Sequence, residues 1–103
     1  MIRMEPVDIN GRTAMAIEVK LPKTTLIAIT TKIGYIMCGA LDVGLLNERL
    51  KDRQIIAARA TGVRTIEDLL TMPLESVTET AASMGIVAGI TGREAIEKML
   101  QHE

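Results

Sequence analysis

Alternating apolar and polar positions open the chain. Residues 5–9 read as a short strand, and Asn10-Gly11 signals a hairpin, since both residues tolerate positive φ. The return segment, residues 13–21, puts Met15, Ile17, Val19 and Leu21 on one face and Ala14, Ala16, Glu18 and Lys20 on the other. This period-2 pattern predicts one buried face and one at least partly wet face, the wet one carrying the small residues Ala14 and Ala16. Pro22-Lys23 breaks the pattern. Residues 24–31 are β-branched and apolar on both sides, which predicts an inner strand. Residues 33–38 are the most apolar strand candidate.

A helical period follows. Gly39 ends the strand and Asp42 is placed to cap a helix over residues 43–51, with Leu46 and Leu50 one turn apart on its buried stripe. Residues 55–61 read as a strand closed by Gly62. Thr65 and Asp68 resemble a capping box opening a short helix over 66–70. Pro73 suits the first turn of a further helix carrying Leu74, Val77, Ala81 and Met84, and Gly85 ends it. Residues 86–90 form one last strand candidate. Thr91-Gly92-Arg93-Glu94 is a capping box for a terminal helix with the stripe Ala95, Ile96, Met99 and Leu100 and a Glu94–Lys98 pair. The sum is an α+β domain: a mainly antiparallel N-terminal sheet, one β–α–β crossover, and helices packed on one side of the sheet.

Composition narrows the function classes. The 103 residues suit one domain. With one Tyr, no Phe and no Trp, the core is aliphatic, and a single-strand nucleic-acid module that stacks bases on aromatic rings is not expected. Twelve basic against thirteen acidic residues leave no excess positive charge for phosphate backbones. No nucleic-acid partner is therefore expected, and a DNA-associated regulator is the least supported reading. One Cys and one His rule out a Cys/His zinc site within the chain, so neither metal nor cofactor is expected. The apolar run 26–46 is too interrupted to span a bilayer, and the first residues lack a signal-peptide stretch. With its single Cys, the chain is expected in a reducing cytoplasm without membrane association.

Three groups of residues carry candidate chemistry. Cys38 lies at the carboxyl end of an apolar strand, where Gly39 and a helix N-terminus capped by Asp42 would favour a thiolate; a small buried hydrophobe is the competing reading. Arg59, Arg64 and Arg93 form a candidate anion set. Arg59 sits in an apolar strand, Arg64 follows a strand end, and Arg93 occupies a helix first turn where a cation needs an anion nearby. Gly89-Ile90-Thr91-Gly92 lacks the GK[ST] of a phosphate loop, and capping alone accounts for it. If residues 33–38 and 55–61 are parallel neighbours, as a crossover would make them, Cys38 and Arg64 share one sheet edge, with Arg59 further back.

The runs GYIMCGALDVGLLNERLKDR, ARATGVRTIEDLL, PLESVT and GITGREAIEKML, with VKLPKT near the start, resemble the YunC-like family, a bacterial and archaeal domain of unknown function. The resemblance implies a small α/β domain whose N-terminal β region, residues 1–38, mediates tetramer formation, followed by an α/β part over 39–103. It supplies no activity. Two functions compete: a self-associating, tetrameric domain that binds a small anionic ligand or a protein partner, and a small cysteine-dependent enzyme using Cys38 with an arginine-lined anion site.

Overall fold

Asn10 and Gly11, at φ of 53° and 82°, close a hairpin between two long strands, β1 (Ile2–Ile9) and β2 (Arg12–Leu21). The computed structural model describes residues 1–39 and 42–103. A second tight turn at Pro22-Lys23 leads to β3 (Thr24–Thr30), and β4 (Gly34–Met37) follows. The chain then crosses through α1 (Val43–Glu48) and a single 3-10 turn, Lys51–Arg53, to β5 (Ile56–Arg59). The remaining elements are α2 (Ile66–Thr71), the two-residue β6 (Ser76–Val77), α3 (Glu79–Ser83) and α4 (Gly92–Gln101).

The six strands form one sheet in chain order, β1 to β6. All neighbours are antiparallel except β4 and β5, which run parallel, as the crossover requires. Gly34 belongs to this pairing by necessity. A β-carbon there would lie 2.6 Å from the Ile56 carbonyl oxygen.

Register assigns every strand residue to a face. The inner face holds the rows Glu5–Ala16–Ile29–Ile36–Ala58 and Arg3–Glu18–Ile27. Helices α2, α3 and α4 cover it, and Ile29, Ile36, Ala58, Leu69, Ala81, Ile96 and Met99 are fully buried in the resulting core. The outer face holds Met4–Ile17–Ala28–Met37 and Ile2–Val19–Leu26. Helix α1 lies on this second face and covers only its β4–β5 end, where Val43, Leu46 and Ala57 pack with Tyr35 and Met37.

Two expectations are thereby corrected. Helices occupy both sides of the sheet. The small-residue face of β2 is the buried one: Ala14 and Ala16 are 3% and 0% exposed, while Met15, Ile17 and Val19 are half-buried on the outer face. Alanines let the helices approach the sheet closely, so the small side is the core side.

The helix after Pro73 is also shorter than its spacing predicts. Residues 73–78 are extended: Glu75 N–H donates to the Arg59 carbonyl and Thr78 N–H to the Ala57 carbonyl, each over 2.8–2.9 Å. Residues 86–90 are a turn rather than a strand; the extended contact there is a single bridge between Pro73 and Thr91. Thr78, 2% exposed, locks the segment: its hydroxyl accepts from Ala57 and Ala81 N–H and donates to the Ile55 carbonyl. On α4 the capping box forms as read. The helix's ion pair among the described residues is Arg93–Glu97 rather than Glu94–Lys98, because the Glu94 carboxylate is engaged at the cap.

Candidate functional site

The parallel β4–β5 pair brings the carboxyl ends of both strands to one edge. Cys38 follows β4 there, with its N–H donating to the Ile27 carbonyl. Its side chain continues the inward alternation of Gly34 and Ile36 and is buried at 6% exposure. The thiol thus occupies the core rather than the edge. His102 lies at the opposite end of the sheet. The carboxylate of its neighbour Glu103 accepts from Lys32 N–H in the β3–β4 turn, and from Gly34 to Cys38 the strand spans about 13 Å at ~3.3 Å per residue. A Cys38–His102 relay is geometrically excluded.

The arginines separate. Arg59 lies on the outer face opposite Met37, its guanidinium 3.1 Å from the Glu75 carboxylate and donating to the Gly39 carbonyl. It therefore reaches the β4 edge that the sequence assigned to Arg64. Arg64 is exposed one residue before the α2 cap, its N–H held by Asp68 Oδ2. Arg93 pairs with Glu97 on α4. Asp42 is exposed and caps α1, accepting from Leu45 N–H at 3.0 Å. Ala40 and Leu41 of the MCGALD motif lie outside the described residues. The pocket beside Arg64 is lined by none of Cys38, Gly39, Asp42, Arg59 and Arg93.

Arg64 does line an open pocket of about 410 Å³, shared with Lys23, Thr24, Thr25 and Val63. The β2–β3 turn builds its other wall at the same sheet edge as the ends of β4 and β5. Lys23 adopts φ of 64°, a left-handed conformation uncommon outside turns. Two cations and two hydroxyls face one volume with no carboxylate among its lining residues, an arrangement able to hold an anion. Sequence reasoning found Arg64 and missed Lys23, read only as part of a turn. A second pocket of about 410 Å³ lies under the inner face between β1, β2 and α2. The outer face carries a shallow dent of about 150 Å³ lined by Ile17, Val19, Leu26, Ile27, Ala28 and Met37, all apolar.

No group of three or more Cys, His, Asp or Glu side chains among the described residues is arranged to hold a metal ion. Among those residues no helix is long and apolar enough to cross a membrane.

The family model described as Domain of unknown function (DUF1805) matches residues 37–99. This chain belongs to the DUF1805 family. The match runs from the last residue of β4 to the last turns of α4, so it spans the crossover, β5 and the helices that follow, while β1–β3 precede it. The chain is 55% identical over 101 residues to the Uncharacterized protein YunC of Bacillus subtilis (strain 168), covering 98% of this chain and 100% of that one. It is also similar to the crystal structure of a protein of unknown function from Thermoplasma acidophilum, with a TM-score of 0.85 at 28% identity over 95% of this chain and 92% of that one. The YunC-like resemblance and the α+β fold class both stand.

Proposed function

We propose that this DUF1805 domain is a cytoplasmic, self-associating binding protein, a tetramer assembled through β1–β3, that holds a small anionic ligand at the sheet edge beside Arg64. The outer face of the sheet carries the reading. Ile2 and Met4 are 68% and 61% exposed, and they continue the half-buried Ile17, Val19 and Leu26 into one apolar surface that α1 leaves uncovered. Contiguous apolar patches of this kind mark interaction surfaces. A second copy presents the same face, and isologous contacts close into dimers and tetramers. The β1 edge, eight residues long, adds unpaired backbone groups for further pairing.

Light scattering tests the assembly. The wild type is expected at a multiple of the 11.2 kDa chain mass, and Ile17→Glu at a lower mass with unchanged far-UV circular dichroism. A monomer mass at all concentrations overturns the reading. For the ligand site, inorganic phosphate is expected to shift the amide resonances of Lys23, Thr24 and Arg64. Combined Lys23→Ala and Arg64→Ala replacement is expected to abolish the shifts.

A further inference from the structure

Glu18 is 9% exposed, on the inner face of β2 beneath α2, and it faces the second pocket of about 410 Å³. No described residue donates a hydrogen bond or ion pair to its carboxylate. Its cross-strand neighbour Arg3 is turned to Glu5 instead, at 2.8 Å. The residue is buried along its stem while its carboxylate oxygens open onto the pocket, where a cation or a set of donors would be favourably held. The one cation lining the pocket, Arg3, is engaged by Glu5. Among the pocket's lining side chains, three carboxylates (Glu5, Glu18 and Glu67) stand against that single guanidinium. Val7 and Leu70 give the same volume apolar walls. Its size falls in the range of small-molecule sites, roughly 300–1,000 Å³.

We propose that this pocket binds an ammonium or guanidinium group carried on a short apolar stem, with Glu18 as its counter-ion and Glu67 at the rim. The carboxylate oxygens accept the N–H donors, and Val7 and Leu70 pack on the stem. The shared chemistry has two sources: a free organic amine, or a Lys or Arg side chain of a second copy. The site is separate from the outer sheet face and from the Arg64 pocket, so it stands whether or not those readings hold.

Butylammonium chloride titrated into the full chain is the test, followed by amide chemical shifts, with sodium chloride at equal ionic strength and 1-pentanol as controls. The wild type is expected to show saturable shifts at Glu18, Thr65 and Ile66 that neither control reproduces. Glu18→Gln is expected to weaken the binding at least about tenfold, the factor expected for a hydrogen bond to a charged group. Glu67→Gln, an exposed replacement that cannot disturb the core, is expected to weaken it less. If the cation arrives on a second copy, Glu18→Gln lowers the mass by light scattering and butylammonium does the same to the wild type. If it arrives on a free amine, the mass stays constant while the shifts saturate. The proposal fails if the wild type shows neither response, or if Glu18→Gln binds as the wild type does. It fails equally if only Arg3→Met binds, because Arg3 would then be the partner of Glu18.

Discussion

A β-carbon at position 92 would sit 1.8 Å from the Leu69 carbonyl oxygen and 2.9 Å from Ile36 Cδ1. Gly92 therefore serves as the point where α4 meets α2 and the sheet, not as part of a nucleotide loop. Gly92→Ala forces backbone to move and is expected to cost at least about 2 kcal/mol in urea denaturation, at the upper part of the overpacking range. Cys38 sets a second test at this scale. Its burial predicts negligible alkylation of the folded protein at neutral pH and full reaction after unfolding. Rapid labelling of the native state, slowed by phosphate, would restore the nucleophile reading. Glu18 shows what single residues withhold. A carboxylate alternating with Ala14 and Ala16 reads as solvent-facing, since charge usually marks the wet side. Only the helices above it reveal that the small side is buried and that the acid sits at a pocket wall. Cys38 and Arg64, by contrast, were legible as residues of one edge, because the crossover fixes strand direction. Which way the thiol points was not.

Elements with strong local signals came through. The Asn10-Gly11 hairpin, the alternation of β2 and β3, the Asp42 and Thr65 caps and the capping box of α4 each depend on neighbours within four residues, and each is present. The Thr65 cap differs in one detail. Asp68 accepts from the Arg64 N–H rather than from the cap's own, at 3.1 Å. The segment 73–78 failed because its backbone partners are distant in sequence. Apolar spacing there suits a helix, yet β5 offers open carbonyls at Ala57 and Arg59, and β-branched Val77 and Thr78 favour the extended form. Thr91→Ala removes the side-chain half of the α4 box, leaving only the backbone N–H of residue 91 on the Glu94 carboxylate, and is expected to lower stability by about 1 kcal/mol. Thr78→Val keeps shape but removes one donor and one acceptor from buried partners at Ile55, Ala57 and Ala81. It is expected to cost more, about 1–3 kcal/mol, since those groups are left unsatisfied. Thermal or urea unfolding of the two variants side by side checks the order.

At the scale of the molecule the two sheet faces differ in how they are covered. Three helices close the inner face, whereas α1 leaves the β1–β3 part of the outer face bare. If copies cover it in solution, unfolding includes dissociation, and the urea midpoint is expected to rise with protein concentration by mass action. A midpoint constant over a hundredfold range of concentration would contradict this. The N-terminal pattern announced the apolar row of β2 but could not show what lies on it, since burial by another chain and burial by the chain's own helices leave the same alternation.

Chain-order pairing of the six strands also sets a sequence of events in time. The β1–β2 and β2–β3 turns are two residues each, so those hairpins can close within about 1–10 μs and reopen freely. The parallel β4–β5 contact has to wait for residues 38–55 to loop back, and that closure entropy is met before any packing rewards it. The barrier to folding is therefore expected at the docking of β5 with its helices, not in the N-terminal meander. Stopped-flow measurements should find that Ile36→Val slows refolding, while Val7→Ala leaves the refolding rate nearly unchanged and speeds unfolding.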